Sequence, residues 1–170
     1  MKEKLALSER ILFVLLALMG MLIMGYLISI YFSSGGITLC NFGESFSCDK
    51  VNTSPYSELL GIPVSVFGFI YFLIILFVGL FKHNRSALRK ALVASIIFLI
   101  PALYFTGVEL FVLKNICVFC EVSKILVVGI LLLSWYIIHP EKVGSKNLKI
   151  TILIGFILAI IMYIIQFHIG

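Results

Sequence analysis

"KNICVFCEVSKILVVG", Lys114 to Gly129, sets two cysteines three residues apart, then a glutamate and a lysine, at the mouth of an apolar run that continues to Ile138. Read as a helix over Cys117–Ile138, that run is long enough to cross a bilayer. Roughly 20 mostly apolar residues span ~30 Å of hydrocarbon at ~1.5 Å per residue. Working outward, four further stretches have the same character: Ile11–Phe32, Pro63–Phe81, Arg89–Leu113 and Ile150–Ile169. Of the 170 residues 62% are hydrophobic and 12% charged, against ~25% charged in an ordinary soluble domain. The expected fold class is all-α integral membrane, a four-helix bundle plus a fifth transmembrane helix. A single membrane domain over residues 1–170 is expected, with a core at 11–138 and the extra helix at 150–169.

Almost no chain separates the third and fourth spans, so they must form a tight antiparallel pair. The long connection, residues 33–62, carries Cys40 and Cys48. Within it, "NTSPYSELLGIPVS" offers Ser54 as a cap, Pro55 at a first helical position, Glu58 in the first turn and Gly61 as a stop. Those signals predict a short helix on the membrane surface, acting as a lid. Pro101, inside the third span, predicts a kink. Glu109, near the outer end of that span, reads as an interfacial carboxylate reaching water.

The first span follows Lys2, Lys4 and Arg10 and precedes small residues, as a signal peptide would. Its run of about 22 residues exceeds the ~7–15 of a signal core, which favours a retained helix. With the N-terminus cytoplasmic, Lys2, Lys4, Arg10, Lys82, Arg85, Arg89, Lys90, Lys142, Lys146 and Lys149 lie inside, ten of thirteen basic residues. Only Lys50, Lys114 and Lys124 then lie outside, as the positive-inside bias requires. The chain is thus expected in the cell membrane, multi-pass, with all four cysteines on the external face. Topology also accounts for the net charge of +5, so no nucleic-acid partner is expected, only membrane lipid.

The cysteines form two pairs. Cys40 and Cys48 enclose "NFGESFS", a flexible segment able to close a small disulfide ring. Cys117 and Cys120 stand at i and i+3, on one face and within disulfide reach. Helix N-termini stabilise anions, so a thiol placed there tends toward the nucleophilic thiolate. Lys124 follows on the same face, about 6 Å deeper than Cys120. A metal site is not expected, because His83 and His139 map to the opposite side. No histidine follows Cys120, which removes the haem-attachment pattern. Terminal His168 is assigned no role. The spans hold no deep cluster of acids and bases such as an ion pathway would need. On a disulfide-permissive side, a loop pair beside a membrane-edge pair suggests a relay. One pair exchanges with a soluble dithiol and the other hands electrons to a quinone dissolved in the lipid.

The order "SCDKVNTSPYSELLGIPVSVFG" then "LFVLKNICVFC" resembles the vitamin K epoxide reductase family, in particular its prokaryotic members. The resemblance covers Ile11 to Ile138, four spans and all four cysteines. It implies a quinone-dependent membrane thiol oxidoreductase that supports disulfide formation in exported proteins. Cys120 would face the quinone, menaquinone or ubiquinone. Cys117 would resolve it and exchange with Cys48, and Cys40 would meet a thioredoxin-like partner. Mobility of the loop that carries Cys48 to Cys117 is then part of the expected mechanism. Because a fifth helix is followed only by Gly170, that partner is expected to be a separate, DsbA-like protein.

Val64, Phe67 and Lys124 are the candidate quinone-binding residues. At Val64 and Lys124 animal members carry an asparagine and a tyrosine, a departure that argues against epoxide reduction. Two readings of Lys124 stand. It could donate to a quinone carbonyl or hold the Cys120 sulfur as thiolate; or it pairs with Glu121 at i+3 and snorkels to water. Two rival functions also stand. A DsbB-type oxidase does similar chemistry but carries its CxxC in the first external loop. A non-enzymatic membrane subunit or transporter would keep both cysteine pairs as static structural disulfides.

Overall fold

The computed structural model describes residues 7–33, 40, 46–82 and 84–138. The expected fifth span at 150–169 lies outside the described residues, as does most of the chain between Ser33 and Phe46. Among the described residues, four helices are long and apolar enough to cross a membrane. They are α1 (Leu7–Phe32), α3 (Val64–Phe81), α4 (Arg85–Gly107, prolonged by a π-helical turn over Val108–Leu113) and α5 (Val118–Ile138). The fold is therefore an all-α membrane bundle. A short α2 (Cys48–Asn52) and a small hairpin, β1 (Glu58–Leu59) with β2 (Ile62–Pro63), lie between α1 and α3.

Each helix packs on two others. α1 lies against α3 and α5, and α4 against α5 and α3, the α4/α5 contact being the expected tight pair. Phe13, Leu27, Phe72, Leu88, Leu92 and Ile130 fill the interior. Exposed Leu15, Leu22, Ile74, Phe77, Ile125 and Leu132 form the outer surface, apolar because that surface meets hydrocarbon. α1 and α3 approach closely at two glycines. Gly20 lies under the Phe72 ring, and a Cβ on Gly68 would stand 2.6 Å from Met24 Sδ. At the far end Arg10 donates to the carbonyls of Gly79 (3.0 Å) and Leu80, satisfying carbonyls of the last turn of α3.

The connection between α1 and α3 departs from the expected short helix. Helical structure begins earlier, at Cys48, where Ser47 is the N-cap and accepts from the Lys50 N–H. Ser54 does not cap; its hydroxyl donates to Val51 O at 2.8 Å. Pro55–Ser57 makes one 3-10 turn. Leu60 (φ 56°) and Gly61 (φ 77°) are both left-handed, the backbone of a two-residue hairpin turn and not of a helix. Glu58 sits in β1 and accepts from the Tyr31 hydroxyl at 2.7 Å, pinning the hairpin to the end of α1. Pro101 is accommodated inside α4.

Candidate active site

Three features bring the cysteines together. A single parallel bridge pairs Phe46 with Ile116, so the chain entering α2 runs beside the chain entering α5. Cys48 opens α2, and Cys117 caps α5, its carbonyl accepting from Glu121 N at 3.0 Å. The Cys117 sulfur also accepts from Cys120 N at 3.3 Å, a thiol doing the work of an N-cap side chain. Cys40 and Cys48 are joined by a disulfide with Cα atoms 5.5 Å apart, inside the usual range. The Cys117 thiol stands 3.1 Å from the Cys48 sulfur.

All three sulfurs lie within 4.8 Å of one another, and all three residues are fully buried. They form the one metal-like cluster among the described residues. Two of its sulfurs are bonded to each other, however, and a disulfide offers no thiolate ligands. The arrangement suits exchange instead: a sulfur in contact with one end of a disulfide is the geometry from which a thiolate displaces the other end.

Cys120 is partly buried beside Cys117. It lines a cavity of about 640 Å³ walled by α1, α3, α4, α5 and the hairpin, with Val64, Phe67, Tyr71, Phe98 and Phe105 among its lining. That volume suits a single organic ligand. Of the residues singled out from sequence, Cys120, Val64, Phe67 and Lys124 meet in this cavity, while Cys40, Cys48 and Cys117 lie outside its lining.

Lys124 is paired and buried. Its ammonium donates to Glu121 Oε1 and Thr106 Oγ1, both at 2.6 Å, and faces Glu109 Oε1 at 3.6 Å. The expected ion pair with Glu121 forms, but at 8% exposure Lys124 does not snorkel to water. Glu109 overturns its expectation more fully. It is 3% exposed, and its Oε2 accepts from Cys117 N at 3.1 Å. The cause is the π-helical turn at 108–113, closed by Lys114 in a left-handed conformation (φ 51°). That turn folds the end of α4 back over the start of α5. The eight-residue spacing between an acid and a cysteine across an almost loopless reversal is the sequence signal for this contact.

A membrane-spanning bundle with a disulfide, a touching thiol and a second thiol in an apolar cavity defines a membrane thiol oxidoreductase. The model of the Vitamin K epoxide reductase family matches residues 11–135, and the chain belongs to that family. A comparison with curated proteins gave no match.

Proposed function

We propose that the protein oxidises a thioredoxin-like dithiol partner and passes the electrons to a membrane quinone, on the external side of the membrane. The observation that carries this reading is the chain of contacts just described: Cys117 is 3.1 Å from the Cys40–Cys48 disulfide, and Cys120 opens on the cavity. In the proposed sequence Cys40 exchanges with the partner and leaves Cys40 and Cys48 as thiols. Cys48 then attacks the Cys117–Cys120 disulfide at Cys117, and Cys40 resolves the mixed disulfide. The pairs end as they stand in the structure, one disulfide at Cys40–Cys48 and two thiols at Cys117 and Cys120.

The cavity fits a quinone. Its wall is almost wholly apolar, with aromatic side chains along it and Lys124 beside Cys120. Two of the three ammonium hydrogens of Lys124 are taken by Thr106 and Glu121. The third faces Glu109 at 3.6 Å, longer than a good hydrogen bond, so a carbonyl oxygen in the cavity would compete with Glu109 for it. Val64 and Phe67 would pack on the ring. A bound quinone supplies a two-electron, two-proton acceptor. Cys120 presents the electron pair to it, and Cys117, held by the Cys120 N–H, is placed to close the disulfide behind it.

Because Cys40, Cys48 and Cys117 are fully buried, a protein partner can reach Cys40 only through a local opening. Such movement is part of the proposed cycle. The test is anaerobic quinone reduction followed by absorbance, with a reduced thioredoxin-like dithiol as donor and menaquinone or ubiquinone analogues as acceptors. Turnover by the wild type that is lost in Cys120→Ser is expected. No turnover with either quinone, while the cysteines stay inert to the donor, would leave a membrane scaffold with structural disulfides.

A further inference from the structure

We propose that Glu109 is the proton carrier of this site, accepting the proton that Cys117 releases as it closes on Cys120 and passing it to the reduced ligand in the cavity. The inference rests on the quinone-reduction reading above and adds a residue to it.

Four observations converge on Glu109. It is an acidic side chain, 3% exposed, in the wall of an apolar cavity that Cys120 and Lys124 also line. One carboxylate oxygen touches Cys117 through its N–H at 3.1 Å, and the other faces Lys124 at 3.6 Å. The carboxylate therefore stands between the backbone of Cys117, whose thiol pairs with Cys120, and Lys124, the one ammonium in the cavity wall among the described residues. It is held there by a π-helical turn, a rare geometry that is frequent at functional sites. Lastly, the charges around it do not balance. Lys124 faces two carboxylates, Glu109 and Glu121, so full ionisation leaves one excess negative charge in apolar surroundings. One proton on Glu109 neutralises the cluster, so taking up the Cys117 proton removes the excess charge, and Lys124 at 3.6 Å balances part of the charge restored when the proton passes on. Glu109 also neighbours Cys117, through its N–H, and Cys120, in the same cavity wall, both of them thiols, while Cys48 is bound in the disulfide.

The balance is complete without further reactants. Two S–H bonds break at Cys117 and Cys120 and one S–S bond forms between them. The electron pair and both protons leave to the quinone, which becomes the quinol. Glu109 takes the Cys117 proton as carboxylate, gives it up as carboxylic acid, and ends as it began.

The test uses the full chain and Glu109→Gln, which keeps an acceptor for the Cys117 N–H but cannot carry a proton. Its kcat for quinone reduction should fall about a hundredfold, the scale of a lost proton-transfer group, with the quinone KM and the Cys48-to-Cys117 exchange rate within threefold of wild type. Glu109→Asp should restore part of the rate. A second readout needs no quinone. Oxidising the Cys117/Cys120 pair with a small-molecule disulfide oxidant should change a carboxyl stretching band in the infrared difference spectrum, and Glu109→Gln should abolish that change. A Glu109→Gln kcat within threefold of wild type, an equal loss in thiol exchange, or an infrared band indifferent to Glu109 would each overturn the proposal. If the wild type reduces no quinone but the Glu109-dependent band is present, the quinone reading fails and the proton coupling stands.

Discussion

Replacing Lys124 by methionine removes the ammonium and keeps an unbranched stem of the same length, which isolates the charge. At an effective dielectric of ~20, attraction to Glu121 at 2.6 Å and Glu109 at 3.6 Å amounts to about 6 and about 5 kcal/mol gross. Most of that offsets the desolvation of the ammonium itself. Breaking a buried pair from one side typically costs about 3–5 kcal/mol, because the remaining charge is stranded. Glu121 retains 32% side-chain exposure, so water relieves part of the strain on it. The expected loss for Lys124→Met is therefore at the lower end, about 3 kcal/mol. Equilibrium unfolding in mixed micelles measures it. Adding Glu121→Gln to Lys124→Met should recover part of the loss, with a coupling energy of about 1–3 kcal/mol. A Lys124→Met protein within ~1 kcal/mol of wild type, or strictly additive variants, would mean that Lys124 reaches water and is not held in this cluster.

Three shorter predictions accompany it. In Cys40→Ser the freed Cys48 and Cys117 sulfurs, 3.1 Å apart, need to close only about 1 Å to bond; mild oxidation should give a Cys48–Cys117 disulfide by peptide mapping, and its absence would show that the two sulfurs do not meet. Gly68→Ala should cost about 1–3 kcal/mol by overpacking, since its Cβ would stand 2.6 Å from Met24 Sδ, and Met24→Ala should relieve it; a neutral Gly68→Ala would contradict the α1/α3 contact. Tyr31→Phe should lower stability by about 1 kcal/mol through loss of the bond to Glu58, and Glu58→Gln should add little in the double variant, so additive losses would argue against that bond.

The four spans were legible because crossing hydrocarbon requires long apolar runs. The expected starts at Ile11 and Arg89 fall four residues inside the observed helices at Leu7 and Arg85, and the ends at Phe32, Phe81 and Ile138 coincide. Hydropathy marks the hydrocarbon edge, whereas a helix continues to its cap; Asn84, which accepts from Ala87 N, starts α4 beyond that edge. Cap and turn chemistry was legible only in part. The segment from Ser54 to Gly61 carries helix-start residues, but Ser57 bonds back to Asn52 O and Leu60 adopts a positive φ that a non-glycine residue seldom takes. The spacing of each cysteine pair could be read locally. The contact of Cys48 with Cys117 is 69 residues long-range, and only the family resemblance pointed to it. Glu109 was misread because local position puts it near a membrane surface, whereas the π-helical turn and the start of α5 bury it. Tertiary contacts of that kind leave no local pattern.

The most direct measurement starts from the redox state of the structure, with the Cys40–Cys48 disulfide formed and Cys117 and Cys120 as thiols. Quinone is added anaerobically without any dithiol donor, and quinol formed is counted while quenched samples are mapped for disulfides. The expected result is one quinol per protein, formed together with a Cys117–Cys120 disulfide, and a Cys40–Cys48 disulfide that persists. Cys117 and Cys120 remaining as thiols, with no quinol formed, would contradict the relay at its central step.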